Sequence, residues 1–279
     1  MDIDSLLNTL DTCGQLGLVL STEESLTLYN SLLLLQNENH FRKAFFWGRI
    51  FGHEKDYYVA YGYTNDVLLN RVFYYSTNCR DWGLLPRPTD KALLLTPLCT
   101  SKFQGDPALV VDILIEKDEI SIGEKLKAPQ VRQLKEEDRL AAAIHLINEE
   151  AVVVPRGVLF QRPDGVVVEN LSFEGLSYLE AMEVKSFLHY RKARNKWNTN
   201  LLTRNDYNYA IDFLDCADED VPEGCFVTQI SPGGIYVVVQ SLYWTGFMLY
   251  HKIGTPIYGY AYFGNGRKCF NLPFMLQLL

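Results

Sequence analysis

Apolar and polar positions along this chain follow two different periods, and the changes from one to the other mark its elements. Ser21-Thr22-Glu23-Glu24 has the form of a capping box, and Leu26, Tyr29 and Leu33 fall at helical spacing behind it. A helix over about 22–36 is predicted, preceded by a short one over about 2–11. From Ala44 the character changes. Phe45, Phe46, Trp47 and Ile50 lead into a turn at Gly52-His53-Glu54-Lys55, and Asp56 to Tyr63 follows, rich in tyrosine. Aromatic and β-branched runs around a polar, glycine-containing loop read as a hairpin. Arg71 to Ser76 and Leu109 to Ile115 are further strand candidates, separated by a proline-containing stretch from Trp82 to Pro107. The charged region from Glu116 to Asp138 has little periodicity and reads as a solvated connection. It leads into a helix over about 135–149 with Leu140, Ile144 and Ile147 on one face.

Ala151 to Val154, the turn Pro155-Arg156-Gly157 and Val158 to Gln161 read as strand, turn, strand. A second capping box, Ser177-Tyr178-Leu179-Glu180, opens a helix predicted to run to about Arg191. Asp212 to Glu223, crowded with acids and holding Pro222, reads as a surface loop. Phe226 to Ile230, the turn Ser231-Pro232-Gly233-Gly234 and Ile235 to Gln240 form the clearest hairpin signal. Two more strands are expected at about Gly246–His251 and Ile257–Phe263. Strands that cluster in runs predict an α+β fold: a predominantly antiparallel β-sheet core with a few peripheral helices. One core is expected across residues 1–279, with a helical N-terminal part over about 1–40.

At 279 residues and 48% hydrophobic, such a chain can bury roughly 70–75% of its unfolded surface, so a core is expected without disulfides or metal. Lys plus Arg total 26 against 34 Asp plus Glu, a net charge of −8. That excess repels polyanions, so nucleic acid and anionic membrane are not expected partners. A basic segment nevertheless needs weighing: Lys185, Arg191, Lys192, Arg194 and Lys196, interleaved with His189, Tyr190 and Trp197. Cations that bind phosphate and rings that stack on bases would look like this. So would cations gathered at the C-terminal end of a helix, where the macrodipole favours them.

Cysteines stand at 13, 79, 99, 216, 225 and 269 without a Cys-x-x-Cys pair, which gives neither a zinc knuckle nor a redox motif. Met1-Asp2-Ile3-Asp4 carries acids where a signal peptide needs basic residues, so secretion is not expected and reduced thiols are. The longest aliphatic stretch, Leu32 to Leu35, is far below the ~20 apolar residues of a membrane span. Without secretion the sequon Asn170-Leu171-Ser172 carries no weight.

The catalytic motifs fail on inspection. His53-Glu54 opens like a metalloprotease helix, but Tyr57 stands where the second histidine is needed. Gly264-Asn265-Gly266 lacks the third glycine of a dinucleotide loop, since Cys269 holds that place, and it reads as a turn. His145 is a lone histidine one position past the apolar Ile144. No catalytic, cofactor-binding or metal-ligating residue is therefore assigned, no cofactor is expected, and the chain is read as a non-enzyme. Tyrosine is the unusual residue, with 17 copies. Tyr57, Val59, Tyr61 and Tyr63 share one face of their strand, as do Tyr258, Tyr260 and Tyr262 of theirs. Ordinary sheet packing and a protein interface both explain such rows, and the Tyr258 to Phe263 strand is expected near a subunit contact. Trp47 and Trp244 are assigned to the core.

In these segments the sequence resembles the radial spoke head protein 9 family of the motile ciliary axoneme. Phe46-Trp47-Gly48-Arg49-Ile50 with Asp56-Tyr57-Tyr58, Val154-Pro155-Arg156-Gly157, Phe173-Glu174-Gly175-Leu176-Ser177 and Ser241-Leu242-Tyr243-Trp244 carry the resemblance. It continues through Tyr258-Gly259-Tyr260 and Gly264-Asn265-Gly266 to Leu272-Pro273-Phe274-Met275-Leu276. Thr245 and Asn271 depart from the family's Pro and Asp, and the stretch from about Asp81 to Lys135 matches poorly, as a variable loop would. The resemblance implies a non-catalytic scaffold subunit of the spoke head, located in the cytoplasm and cytoskeleton at the axoneme of cilium or flagellum. It implies as partners the spoke head proteins of types 4 and 6, a second copy across a twofold axis, and central-pair projections through the assembled head. It also implies that the head passes mechanical signals towards the dynein arms. The alternative is a soluble adaptor or scaffold subunit of another intracellular complex, using the same aromatic surface without a ciliary role.

Overall fold

A computed structural model of the chain describes residues 1–7, 14, 20–115, 130–194 and 207–276. Its centre is an eight-stranded sheet ordered β11-β12-β13-β14-β1-β2-β3-β4. The N-terminal strands are β1 (Lys43–Ile50), β2 (Tyr57–Tyr63), β3 (Val72–Ser76) and β4 (Gly83–Leu84). The C-terminal ones are β11 (Phe226–Ile230), β12 (Tyr236–Ser241), β13 (Phe247–Lys252) and β14 (Tyr258–Gly264). Each set is an antiparallel meander, and the two meet in a parallel pairing of β1 with β14. This is the predicted α+β fold with a mainly antiparallel core.

The seam depends on an absent side chain. Gly48 pairs with Tyr262 beside a register shift between Phe46 and Gly48. Its φ is 150°, and a Cβ there would lie 2.1 Å from the Tyr262 carbonyl oxygen. Only glycine lets the two backbones close to hydrogen-bonding distance at this point.

Helix α1 (Thr22–Glu38) covers one sheet face, together with Met1, Ile3 and Leu6 of the N-terminal segment. Its capping box is formed: Ser21 Oγ accepts from Glu24 N–H at 3.2 Å and Glu24 Oε2 accepts from Ser21 N–H at 2.7 Å. Its buried stripe is Leu28, Leu32 and Leu35, whereas Leu26 is half exposed and Tyr29 and Leu33 are only partly buried. Leucine recurs on several sides of this helix, so its spacing alone did not single out the inner face. Of the predicted 2–11 helix, only a 3-10 turn at Ile3–Ser5 and helical Leu6 and Leu7 lie in described residues; 8–11 fall outside them.

Helix α3 (Glu136–Glu150) packs Leu140, Ile144 and Ile147 on the other face of the sheet. Aromatic side chains of the sheet grip it by hydrogen bonds along its length. Tyr57 and Tyr75 hydroxyls donate to Glu136 and Glu137 in its first turn, at 2.8 and 2.9 Å. Trp47 Nε1 donates to Asn148 at 2.9 Å and Trp244 Nε1 to Glu150 at 2.8 Å near its end. Both tryptophans are buried, as assigned. Glu136 is fully buried and also accepts from the N–H groups of Gln104 and Gly105, a satisfied carboxylate at a helix N-terminus.

Four expectations need correction. The Glu116 to Asp138 connection contains a strand, β6 (Gln130–Lys135), paired with β5 (Val110–Ile115). Polar residues along β6 hide it from a hydrophobicity reading. With α2 (Asp90–Leu95), this ribbon packs a small core of Ala92, Leu95, Ile113 and Leu134 on Ala142 of α3, so the described part of 81–135 is folded. The segments expected as strand, turn, strand at 151–161 are not partners. β7 (Val153–Pro155) pairs with β10 (Phe187–His189), and β8 (Leu159–Gln161) pairs with β9 (Val167–Glu169). Finally, the helix opened by the second capping box, α4 (Tyr178–Met182), lasts five residues. Phe187 and Leu188 are buried strand residues, and a short apolar run does not by itself separate a buried strand from a helix.

Trp244→Ala removes a buried indole and leaves Glu150 without one donor, so it should cost roughly 3–5 kcal/mol of unfolding free energy. An unchanged urea midpoint would contradict this. Gly48→Ala has no room at the seam and should cost on the order of 3 kcal/mol or more in the same measurement, whereas a loss below about 1 kcal/mol would show that the strands can part there cheaply.

Candidate functional site

Two segments that looked independent in sequence, the basic run from Lys185 and the acidic run from Asp212, are partners in space. Arg191 sits in the interior and pairs with Asp215, both side chains 6% exposed. Arg191 Nε also donates to the Glu149 carbonyl at 2.7 Å, and Arg194 N–H donates to Asp215 at 2.8 Å. His189 Nε2 meets Asp220 at 3.0 Å. Arg156 grips Asp212 through two parallel hydrogen bonds of 2.6 and 2.7 Å. Lys185 pairs with exposed Glu183, and Arg194 with Glu149. Lys196 and Trp197 lie outside the described residues.

The helix-end reading gives way, because α4 stops at Met182. Arg191 is buried with its charge matched, which takes it out of any exposed basic face. Asp212 and Asp215 are correspondingly buried and not on a surface loop. Their role was missed because each segment's charge was judged alone; the signal was the reciprocal charge of two runs. Buried pairs of this kind fix one arrangement of the chain, because separating either partner strands a desolvated charge.

The tyrosine rows also face inward. Tyr57, Tyr61 and Tyr63 are buried, as are Tyr260 and Tyr262, while Tyr258 is partly buried. Within the expected contact strand, β14 lies between β13 and β1, and Tyr260 and Tyr262 pack the core while Tyr258 stays partly exposed at its end. Tyr260 donates to the Tyr61 hydroxyl at 2.8 Å. Burial first, with neighbouring phenols next, pushes the Tyr61 hydroxyl well above its ordinary value.

A cavity of about 420 Å³ opens beside these rings, lined by Lys43, Tyr61, Glu169, Tyr190, Tyr258 and Tyr260 among others. Its charges are spoken for. Lys43 pairs with Glu169 at 2.7 Å and Asp2 at 3.2 Å, and Tyr63 donates to Glu169 at 3.0 Å. Burial alone would lower the Lys43 pKa, but the two carboxylates outweigh it and raise it. The phenols are held neutral and the ammonium charged, so neither acts as a base or nucleophile at neutral pH. A second cavity, of about 260 Å³, lies at the end of α3, beside Trp244, Arg267 and Phe270.

The remaining sequence candidates are dispersed. Gly52-His53-Glu54-Lys55 is the β1–β2 turn, and His53 N–H is held by the Phe103 carbonyl at 2.7 Å. Gly264-Asn265-Gly266 is a turn after β14, with Gly266 at φ 67°. His145 lies on α3, partly buried. Among the described residues, no group of three or more His, Cys, Asp or Glu could hold a metal ion. Among them, too, no helix is long and apolar enough to cross a membrane.

A family model described as radial spokehead-like protein matches residues 1–67. Radial spoke head protein 9 homologues from mouse, human and zebrafish are 39%, 38% and 38% identical over 277 residues. Each alignment covers 99% of this chain and 100% of the relative. The chain belongs to the radial spoke head protein 9 family.

The segments that carried the resemblance to the spoke head family build structure here. Trp47 and Gly48 form the seam and grip α3, and Arg156 holds Asp212. Phe173-Glu174-Gly175-Leu176-Ser177 docks on the β13–β14 turn, where Leu176 N–H donates to His251 Nε2 at 3.1 Å. The other ring nitrogen, Nδ1, therefore carries the proton and donates to the Ile257 carbonyl at 3.0 Å. Cys79 and Cys225, free and buried, have thiols that burial pushes up to about 12, so they stay protonated and unreactive at neutral pH.

Burial lowers the pKa of His251 from 6.5 to about 4, against a small opposing effect of its bond to Ile257. The unfolded chain then binds a proton near pH 6.5 that the folded chain refuses until about pH 4. Stability from this group is full above the unfolded value and is lost as pH falls through that window, on the order of 3 kcal/mol in all. Thermal unfolding from pH 7 to 4 should show a falling midpoint, and His251→Gln should flatten that slope. An identical slope in the variant would assign the acid sensitivity to other groups.

Proposed function

We propose that this chain is a non-catalytic structural subunit of the radial spoke head in the motile axoneme. It holds the head together with spoke head proteins of types 4 and 6. Through the assembled head it passes mechanical signals between the central-pair projections and the dynein arms. A second copy related by a twofold axis completes the arrangement. The observation that carries the reading is the 38–39% identity with radial spoke head protein 9 homologues over 99% of this chain and 100% of each relative. The physical chemistry supports it. Buried ion pairs and a glycine-closed seam favour one rigid arrangement, and the ionisable groups of the larger cavity are matched or held neutral. A part that transmits force needs that rigidity more than it needs a reactive group.

Detergent-extracted axonemes should retain the chain in the spoke fraction, and cells lacking it should have defective spoke heads and an abnormal beat. Normal motility with intact spoke heads in its absence would overturn the proposal.

A further inference from the structure

The first turn of α3 faces a loop that carries a serine, and between the two lies a guanidinium with no carboxylate on it. Arg139 is 1% exposed. Its Nη2 donates to the Ser101 carbonyl at 2.7 Å, its Nη1 donates to Ser101 Oγ at 3.4 Å, and its guanidinium carbon lies 4.1 Å from the centre of the Phe103 ring. Nε has no acceptor, and among the described residues no Asp or Glu pairs with this side chain. Glu136, three residues before it on the helix, is committed to the Tyr57 hydroxyl and to the N–H groups of Gln104 and Gly105. Burial lowers the Arg139 pKa most and the charge of Arg267 lowers it further, against smaller opposing effects of Cys99 and Glu136. A guanidinium taken out of water with a carbonyl, a hydroxyl and a ring around it is under-compensated, and an anionic oxygen is the acceptor that completes it.

The route for that anion is the serine itself. Ser101 and Lys102 are exposed, in the loop between the 3-10 turn Thr96–Leu98 and the buried Phe103. The oxygen that touches Arg139 therefore belongs to a residue that reaches solvent, and an anion joined to Oγ is delivered to Nη1 by the chain. The same oxygen lies 3.2 Å from Cys99 Sγ, a neutral contact that does not compete for the cation. Nearby hydroxyls lack this combination. Thr96 is buried and donates to the Ala92 carbonyl at 2.7 Å. Thr100 is exposed, and among the described residues no hydrogen bond ties its hydroxyl to a cation.

We propose that Ser101 is a phosphorylation site, with Arg139 as the cation that receives the phosphate. A serine/threonine kinase and ATP supply the chemistry. Ser101 Oγ forms a bond to the γ-phosphorus, the bond from that phosphorus to the bridging oxygen breaks as ADP leaves, and the hydroxyl proton passes to the kinase's base. The product carries about −1.5 to −2 charge at neutral pH and three strong acceptor oxygens. Attached through Oγ, they lie within reach of Nη1, and exposed Lys102 adds a second positive charge beside them. The new charge fastens the loop to α3, because it meets a desolvated cation instead of another anion. The inference goes beyond the assembly role above and does not depend on it.

The test compares the full chain with the same chain made with phosphoserine incorporated at position 101. In a phosphorus NMR titration the second ionisation of the phosphate, ordinarily near pH ~6, should lie well below that value in the folded chain and return to it in urea. At pH 7.5 the phosphorylated chain should melt about 2 °C or more above the unmodified one. In Arg139→Gln the same phosphate should give no rise. An unshifted ionisation, a midpoint that stays or falls on phosphorylation, or a rise that survives in Arg139→Gln would each overturn the proposal. If Arg139→Gln does not fold, the phosphorus titration of the unaltered chain decides alone. Occupancy is read by mass spectrometry on the chain isolated from its own cells with phosphatase inhibitors present. Phosphate on Ser101 supports the site, whereas none there, or phosphate on Thr100 alone, counts against it.

Discussion

The parallel contact between β1 and β14 joins strands more than two hundred residues apart in sequence, and it is the constraint on which the rest of the structure hangs. Each meander taken alone is a four-stranded antiparallel sheet with two open edges. The seam closes one edge of each and turns them into a single surface wide enough to be covered on both faces. Backbone approach sets the cost of that closure. At Gly48 the strands come so near that a methyl group would overlap the Tyr262 carbonyl. Trp47, next to it, is directed to the α3 side and donates to Asn148, so one dipeptide sets both the sheet's continuity and the position of its principal helix.

From that arrangement follows the placement of polar groups. Hydroxyls and indoles that would be costly to bury on an apolar sheet face are spent on the ends of α3, where acids sit in the first turn and Asn148 and Glu150 in the last. The same helix end receives Arg191 through the Glu149 carbonyl, and Arg191 in turn holds Asp215. Continuous chains of satisfied groups resist small displacements, because shifting one member leaves a buried neighbour unpaired.

Local signals in the sequence were legible where the structure is decided locally. Both capping boxes formed as written, and the hairpins at β1–β2 and β11–β12 sit within a residue or two of their expected places. The helix-forming start at Ser177 was read correctly, but its length was set by distant β7, which draws Phe187 to His189 into a strand. Strand β6 was hidden because its pairing with β5, and not its own hydrophobicity, makes it a strand. Charge was the least legible layer. Net charge and charge runs describe long-range fields, whereas Arg156–Asp212 and Arg191–Asp215 are contacts fixed by topology. The family is legible in ordered landmarks along the length of the chain.

Inward-facing tyrosines change where assembly contacts must be sought. With both sheet faces covered and β14 internal, most of the aromatic rows stabilise the fold. Stable interfaces need on the order of 1,200 Å² or more of buried surface, and most exposed apolar surface lies at the periphery. There the apolar side chains stand out on short elements and turns: Leu171 is 91% exposed, Leu179 75% and Phe274 71%. None of these is held by the core, so each is free to change without disturbing the seam. The covered sheet sets the shape, and the exposed apolar side chains lie at its margins, where a change leaves the seam intact.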